Sequence, residues 1–435
     1  MQSSSLGRIE QALPQLLDST VGIINQLYEV PREPGSPDFF HFAGRAANTR
    51  AFSDQENFCN TGGASSDAAV AIAKAAGEAV ERYCAALYEA AALPLASYSE
   101  APFPCVDPAD FALYDEAQYE SPGFPWAPFD AESPIRWTPA IEVLTGSIRY
   151  VPAAFTWIPY HFDQAAGETP IGQPISTGLA CHESWERSAL SGACEVVERD
   201  SFTLMWQGRR APPQLRPETL TDRNYDLVRR FERTGDRVRL LDITTDTGVT
   251  CILSILSSEA RGRPAFVFAA SANPDPDDAV RKALEELAHT RRYSEQVLRW
   301  MPCPSSDEDY AEVATQAQHL RLAADPSSAE AFRFLFASSE RIDFEDLVDR
   351  STGTAAGDLE VVCEGIAQTG LRTYVADLTS PDIRRLGLTV TRTIVPGLHP
   401  LFMGHGLRAR GGARLRKLLE AAGRNEDNPY PHPYP

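Results

Sequence analysis

The feature that most constrains how this chain can fold is a short ionic pattern, E-x-V-E-R, that occurs twice within otherwise apolar stretches of helical character. The two copies consist of Glu78, Glu81 and Arg82, and of Glu195, Glu198 and Arg199. Because residues three and four apart share one face of a helix, each copy projects two carboxylates and a guanidinium together. The surrounding Ala, Cys, Val and Leu residues would partly remove these carboxylates from water, so the fold must supply a cationic partner.

A solvated helix face with a local ion pair is the ordinary explanation for one such pattern. Two copies in apolar surroundings favour another explanation, because two arginines offset only part of the charge of four carboxylates. Hard carboxylate oxygens suit Mg²⁺ that is shared with phosphate oxygens. The residues alone therefore predict a Mg²⁺-nucleotide site.

The overall charge limits the classes of partner. The 435 residues carry a formal net charge of -20, which argues against general binding to nucleic-acid phosphates and against adhesion to anionic membranes. No apolar run approaches the ~20 residues that span a bilayer, and the amino-terminal residues lack the pattern of a secretory signal, so we expect a cytoplasmic protein. The eight cysteines are scattered singly, which indicates neither a disulfide framework nor a structural zinc site.

Hydrophobic patterns predict an α+β fold in which mixed or antiparallel sheets pack with helices. Residues 6–28 have the pattern of an amphipathic helix interrupted by Pro14, and residues 407–423 that of a basic helix. Runs of strand composition include RVRLLDIT, VTCILSIL, PAFVFAA, DLEVVCEGI, LRTYVADLT and GLTVTRTIVPGLHPL.

A Gly-rich segment, NTGGASSD, stands immediately before the first carboxylate helix and contains Ser65. It is predicted to be a turn, where capping of the helix and phosphate binding by backbone N–H groups both remain open. No P-loop, nucleophile elbow or kinase motif set occurs in the sequence. A nucleotide would therefore bind at a non-P-loop site.

Five segments in a fixed order resemble one known family. GEAVERYC, STGLACHESWERSALSGACEVVERD, ALEELAHTR, IVPGLHPL and the final PHPYP are similar to the YcaO superfamily, specifically its azoline-forming cyclodehydratases of thiazole/oxazole-modified peptide biosynthesis. The likeness extends from about Gly62 to Pro435. It implies a YcaO-type fold, with a helical or extended segment at 1–61, an ATP-binding catalytic domain at 62–405, and a C-terminal helix and tail at 406–435.

The resemblance also assigns residues to an ATP and Mg²⁺ site. It implies that the metal carboxylates are Glu78, Glu81, Glu195 and Glu198. It implies that the nucleotide-binding residues are Arg82, Arg199, Glu286, Arg291, Ser176 and Ser65. The family often has Gln where this chain has His289, and Lys or Gly where it has Ala64 and Ser65, so contacts at these positions differ from the family pattern.

The proline-rich ending supports two interpretations. Its composition is typical of a disordered or partner-binding extension. However, Pro431, Pro433 and Pro435 match the P-x-P-x-P ending that, in azoline-forming relatives, enters the active-site region and supports cyclisation. A proline-restrained tail loses little entropy when it is ordered, so we favour the second interpretation. The terminal carboxylate of Pro435 and the imidazole of His289 are candidates for proton transfer.

The activity implied by the resemblance is ATP-dependent conversion of Cys, Ser or Thr residues of a ribosomal precursor peptide to thiazolines or oxazolines, as in maturation of microcin-type bacteriocins. The expected partners are that peptide, a separate ubiquitin-activating-like protein that binds its leader, a flavin-dependent azoline dehydrogenase and a second copy of the chain. Two alternatives remain open: thioamide or amidine formation at the same ATP site, and a nucleotide-binding adaptor without catalysis.

Overall fold

The computed structural model describes residues 3–111 and 113–435, and within them it contains eleven α-helices and fourteen strands. The helices are α1 (Ser3–Leu16), α2 (Ala68–Ala85), α3 (Glu116–Tyr119), α4 (Trp185–Gln207), α5 (Asp222–Glu232), α6 (Pro276–Trp300), α7 (Gln316–Ala323), α8 (Ala329–Phe332), α9 (Ala355–Gln368), α10 (Pro381–Arg385) and α11 (Ala413–Ala421). The strands are β1 (Ile24–Glu29), β2 (Phe40–Ala46), β3 (Asn60–Ser65), β4 (Leu95–Ala96), β5 (Ile135–Glu142), β6 (Ile148–Pro152), β7 (Leu179–His182), β8 (Gln214–Leu215), β9 (Arg237–Asp242), β10 (Cys251–Ser257), β11 (Phe266–Ala272), β12 (Arg341–Ile342), β13 (Tyr374–Asp377) and β14 (Thr389–Ile394).

The strands form three sheets. An antiparallel sheet has the order β1-β2-β3, and a second sheet has the order β11-β10-β9-β8-β12, in which only β8 and β12 pair in parallel. The third, antiparallel sheet has the order β4-β5-β13-β14-β7, with β6 paired to β5. The predicted α+β class with antiparallel and mixed sheets is thus confirmed.

Three long helices lie against these sheets and carry the ionic residues. Helix α2 packs on β3 and β7, α4 packs on β7, β14 and α9, and α6 packs on β11, β10 and β3. Strand β7 therefore contacts both carboxylate helices, and β3 contacts both α2 and α6. This shared packing brings distant parts of the chain to one place.

The start of each helix follows from local sequence. Asp67 caps α2, Ser184 caps α4 and Asp275 caps α6, each by accepting a backbone N–H from the first turn. In α6, Pro276 occupies the first turn together with two acidic residues, an arrangement that suits the positive end of the helix dipole.

Two predictions for the amino-terminal region were wrong. The helix predicted over 6–28 ends at Leu16, and β1 follows from Ile24 because this edge strand pairs with β2. The predicted Gly-rich turn is strand β3, which pairs with β2. Its glycines are explained by the close approach of α2, since a Cβ on Gly63 would lie 2.3 Å from the backbone oxygen of Ala71.

The run DLEVVCEGI was also predicted wrongly, as a strand, and it forms α9. Its buried positions Leu359, Val362, Cys363 and Ile366 recur with helical spacing, and Thr354 caps the helix. The adjacent valines gave it strand composition, but the spacing of its apolar residues is that of a helix. The predicted basic helix at 407–423 is present with shorter bounds, as α11.

The division into 1–61, 62–405 and 406–435 stays a prediction; the first segment contributes β1 and β2 to the same sheet as β3. Among the described residues, no helix is long and apolar enough to cross a membrane.

Candidate active site

The first E-x-V-E-R unit lies on α2 and is held by backbone groups of two strands. The N–H of Gly62 donates to Glu78 Oε2 at 2.8 Å, and the N–H of Cys181 donates to Glu81 Oε1 at 2.8 Å. Within the helix, Arg82 Nη2 lies 3.2 Å from Glu78 Oε1. Because Cys181 belongs to β7, Glu81 links α2 to the strand that leads into α4.

The second unit lies on α4 and repeats this arrangement. The N–H of Gly178 donates to Glu195 Oε2 at 2.9 Å, and Arg199 Nη2 lies 3.3 Å from Glu195 Oε1. Glu198 differs from its counterpart because it accepts a hydrogen bond from the hydroxyl of Tyr434 at 2.6 Å. The second unit is therefore attached to the C-terminal tail.

The structure brings all four predicted carboxylates into one electrostatic environment. Burial, together with the charges of Glu78 and Glu195, raises the pKa of Glu81 to about 8 against the opposing effect of Arg82. Burial also raises the pKa of Glu198 to about 7, against the opposing effect of Arg199. The nearby arginines do not supply enough positive charge to keep these buried carboxylates ionised, which is expected of a site that receives a cation.

The residues fit Mg²⁺ shared with a nucleotide. Among residues 3–111 and 113–435, no three His, Cys, Asp or Glu side chains stand close enough to hold a metal ion by themselves. A Mg²⁺ ion usually takes only one or two carboxylates, completed by water and phosphate oxygens. The buried Nε of Arg82 has no hydrogen-bond partner in the described part of the chain and retains a donor for a phosphate oxygen, whereas the Nε of Arg199 lies 3.5 Å from Glu198 Oε1.

A third cluster joins α2 to α6. Lys74 Nζ lies 3.1 Å from Glu286 Oε1 and 3.2 Å from Glu285 Oε2, and Ser65 Oγ donates to Glu285 at 2.7 Å. Burial alone would raise the pKa of Glu286, but the Lys74 ammonium and the His289 imidazole hold it well below its usual range. The predicted residues Ser65, Glu286 and His289 thus form one cluster.

His289 connects this cluster to the first carboxylate unit. Its Nδ1 lies 3.7 Å from Glu286 Oε2, and a Cβ added to Gly62 would lie 2.6 Å from its Nε2. Burial lowers the pKa of His289, but Glu286 and Glu78 outweigh that effect and raise it. The imidazole therefore lies over the backbone that donates to Glu78.

The C-terminal tail lies on the second unit. Arg199 Nη1 donates to the backbone oxygen of Pro435 at 3.2 Å, and its guanidinium lies 4.6 Å from the centre of the Tyr434 ring. Residues 431–434 are buried, and the ring of His432 stacks on His319 at 4.0 Å. The structure thus brings the predicted Pro431, Pro433 and Pro435 to α4.

Two of the residues predicted to bind nucleotide, Arg291 and Ser176, lie outside the clusters described above. Arg291 lies on a different face of α6 from Glu286, and its guanidinium pairs with Asp236 and Glu295, each at 3.0 Å. The structure does not bring it to the carboxylate cluster, because these buried acids already satisfy its charge. Ser176 lies two residues before Gly178, and its backbone oxygen accepts the N–H of Leu179 at 3.1 Å.

The sequence reasoning missed three residues. Lys74 precedes Glu78 by one helical turn, and that spacing could have identified it. Tyr434 lies within the recognised PHPYP ending, but only the prolines were selected. Arg392 lies on β14, and its pKa is lowered by burial while Glu195 opposes that effect, so it is electrostatically coupled to the site. No local pattern reveals Arg392, because its position depends on sheet pairing.

Fold and site together define an α+β protein that brings two carboxylate helices, two guanidiniums and an ordered C-terminal tail to one place. A model of the YcaO cyclodehydratase family, described as binding ATP and Mg²⁺, matches residues 62–399, and the chain belongs to this family.

Three relatives illustrate the similarity. An uncharacterised protein of Methanothermobacter thermautotrophicus is 29% identical over 296 residues, which are 67% of this chain and 71% of that protein. A heterocyclase solved in complex with substrate and cofactor has a TM-score of 0.78 at 20% identity; the match covers 99% of this chain and 57% of that one. YcaO from Methanopyrus kandleri, bound with AMPPCP and Mg²⁺, has a TM-score of 0.67 at 21% identity and 93% coverage of each chain. At these identities, the two structures show a shared YcaO-type fold.

Proposed function

We propose that the protein is an ATP-dependent cyclodehydratase that converts Cys, Ser or Thr residues of a ribosomal precursor peptide to thiazolines or oxazolines. Family membership supports an ATP-dependent enzyme in general. The observation that carries the narrower proposal is the contact of the tail with the second unit, where Tyr434 donates to Glu198 and Arg199 donates to Pro435. An ending of this kind is expected of azoline-forming members.

In the proposed reaction, the thiol or hydroxyl of the substrate residue attacks the carbonyl carbon of the preceding residue. The resulting oxyanion takes the γ-phosphoryl group of ATP and releases ADP. Loss of inorganic phosphate and of the amide proton then forms the C=N bond, so the peptide loses the atoms of one water. Phosphorylation is required because an amide oxygen is otherwise a very poor leaving group.

The chain's own residues bind and orient the reactants. Arg82 and Arg199 are the proposed phosphate-binding guanidiniums, and the Nε of Arg82 has no other hydrogen-bond partner among the described residues. Bound by Glu78, Glu81, Glu195 and Glu198, Mg²⁺ would neutralise the phosphate charge. The Pro435 carboxylate and His289 are the proposed proton carriers, and Ser65, Ser176 and Glu286 remain proposed nucleotide contacts.

We further propose a separate leader-binding protein, a dehydrogenase acting afterwards, a homodimer and a cytoplasmic location. The resemblance of this chain's motifs to azoline-forming cyclodehydratases is what supports these partners. These partners stay proposals.

The test is mass spectrometry of a Cys- and Ser-rich precursor peptide after incubation with the protein, the leader-binding partner and Mg-ATP. We expect loss of one water per modified residue, absent without ATP and absent in Glu198→Gln. Glu186→Gln is the matched control, because Glu186 is an exposed glutamate of the same helix. A gain of mass from exchange of oxygen for sulfur would indicate thioamide formation instead. An unchanged peptide despite leader and nucleotide binding would favour the adaptor.

A further inference from the structure

An apolar cavity of about 120 Å³ lies beside the second carboxylate unit. Its walls include Phe111, Leu113, Phe155, Ile175, Val196 and Leu407. Close-packed protein interiors contain few voids larger than one water molecule, so a cavity of this size is space for part of a ligand.

The cavity is continuous with the candidate active site. Helix α4 contributes Val196 and Arg199 to its wall, and the same turns carry Glu195 and Glu198. Thr177, on another wall, directly precedes Gly178, the backbone donor to Glu195. A group in this cavity therefore lies next to the atoms where the nucleotide and the reacting amide would meet.

One charged residue of the wall is incompletely satisfied. Arg392 is 4% exposed, its Nε donates to the backbone oxygen of Phe155 at 3.0 Å, and its Nη2 donates to that of Ile175. Its Nη1 is buried and has no hydrogen-bond partner among the described residues. Leaving a charged donor without an acceptor is unfavourable, and a backbone carbonyl of a bound peptide would supply one.

We propose that this cavity receives the side chain of the substrate residue immediately before the cyclised Cys, Ser or Thr, and that it selects an uncharged apolar side chain. The inference rests on the proposed function. The carbonyl that is attacked belongs to that residue, so its Cβ is two bonds from the reacting carbon. The side chain must therefore lie near the carboxylates. A side chain held in the cavity would fix the carbonyl in position for attack. Arg392 Nη1 would donate a hydrogen bond to the peptide backbone.

The charges around the cavity decide which side chains it accepts. Arg199 is paired with Glu195 and Glu198, so it offers little net attraction to an acidic side chain. A Lys or Arg side chain would meet the guanidinium of Arg392, which has no carboxylate partner among its hydrogen bonds, and would be repelled. Most of the remaining wall is aromatic and aliphatic, with Gln173, Thr177, Thr393 and His399 as uncharged polar members, which favours an uncharged, mainly apolar occupant.

The test uses N-acetylated peptides Gly-Xaa-Cys-Gly-Gly with Leu, Gly, Lys or Glu at Xaa. Their affinity for the full chain is measured by calorimetry with Mg²⁺ and AMPPCP, and the water loss of full precursor peptides with the same residue before the Cys is measured by mass spectrometry with the leader-binding partner and Mg-ATP. We expect the Leu peptide to bind about tenfold more tightly than the others, the scale of discrimination by an apolar pocket. Leu407→Trp should remove this preference, and Arg392→Lys should weaken all four peptides together.

Two further variants make the result specific. Leu407→Ala, which enlarges the cavity, should shift the preference from the Leu peptide to a fifth peptide with Phe at Xaa, and it keeps the test valid if the Trp variant does not fold. Leu144→Trp places the same indole at an exposed turn and should retain the Leu preference. Equal affinities, a preference for Glu, or a Leu preference that survives Leu407→Trp would overturn the inference.

Binding and turnover separate this inference from the proposed function. Leu-dependent binding without water loss would support the cavity and contradict the cyclodehydratase. Water loss that is independent of Xaa would support the cyclodehydratase and contradict the cavity. Absence of both binding and water loss would contradict both.

Discussion

The two E-x-V-E-R units are nearly identical locally and differ in what holds their second glutamate. In each unit the first glutamate accepts a glycine N–H, from Gly62 at 2.8 Å or Gly178 at 2.9 Å, and pairs with the arginine one turn later. The second glutamate of α2 accepts from the backbone of β7, whereas that of α4 accepts from a tail hydroxyl.

The arginines differ in the same way. Arg199 lies 4.6 Å from the Tyr434 ring and donates to Pro435, whereas Arg82 lies 5.8 Å from the ring of Phe58, which is 54% exposed. The first unit is thus fixed by the sheet alone, and the second also depends on the last residues of the chain. The two copies of the unit therefore differ: the first is held rigidly, and the second can be influenced by the tail.

The strongest test of this comparison is to neutralise the second glutamate of each unit in turn. We expect Glu81→Gln and Glu198→Gln each to lower peptide-dependent ATP hydrolysis by at least about 100-fold, because each removes a carboxylate that would ionise to hold Mg²⁺. Steady-state kinetics measure the loss, with Glu186→Gln as the control. A large loss in only one variant would mean that the two halves do not share one site.

The glycines that support the first glutamates should differ in their tolerance of a side chain. Gly178 has a φ of 86°, and its Cβ would lie 2.2 Å from the backbone oxygen of Thr393, whereas the Cβ of Gly62 would meet the movable imidazole of His289. We expect Gly178→Ala to lower the free energy of unfolding by about 3 kcal/mol or more, and Gly62→Ala by about 1 kcal/mol.

Urea unfolding of both variants measures this difference. Gly146→Ala is the matched control for backbone strain, since Gly146 has a φ of 70° and a Cβ there would meet nothing within 4 Å. It should cost about 1 kcal/mol. Equal losses at Gly62 and Gly178 would show that the contact with Thr393 is relieved by backbone movement.

Removing one tail hydroxyl should affect the second unit and not the first, and it also removes the acceptor of the Ala270 N–H at 3.0 Å. Tyr434→Phe keeps the ring beneath Arg199 but deletes the hydrogen bond to Glu198, and we expect ATP hydrolysis to fall about tenfold, since hydrogen bonds to charged groups contribute about 1.5 to 3 kcal/mol. Tyr430→Phe is the control, because Tyr430 is held through its backbone oxygen by Trp206 Nε1. An unchanged rate of ATP hydrolysis in Tyr434→Phe would mean that the tail does not contribute to the function of α4.

The sequence was sufficient to find the two units, since each lies within one helical turn and helical spacing is a local property. It was also sufficient for the tail prolines, because a distinctive motif marks them. It could not show that Cys181 supports Glu81, because that contact joins residues far apart in the chain and depends on sheet packing. The error at α9 has a different origin: adjacent β-branched residues suggested a strand, while the longer spacing of Leu359, Val362 and Ile366 decided the helix.

A last expected effect, on stability and not on the rate, concerns the histidines that hold the tail. His319 Nε2 accepts the N–H of Gly404 at 3.3 Å, and His432 Nδ1 accepts that of Tyr434 at 3.2 Å, so both rings are required neutral. Burial lowers the pKa of His319 to about 4 and that of His432 well below its usual value. Protonation would break one hydrogen bond in each ring.

Because the unfolded histidines titrate near pH 6.5, the unfolded state binds more protons than the folded state below that pH. The stabilisation is therefore complete above about pH 6.5 and decreases as the pH falls towards 4. We expect a stability loss on the order of 1 to 3 kcal/mol over this range, measured as the Tm at several pH values. His319→Gln should flatten the profile, and the exposed His161→Gln should not. A profile unchanged by His319→Gln would mean that the tail is held without this pair, and that the second unit is as rigid as the first.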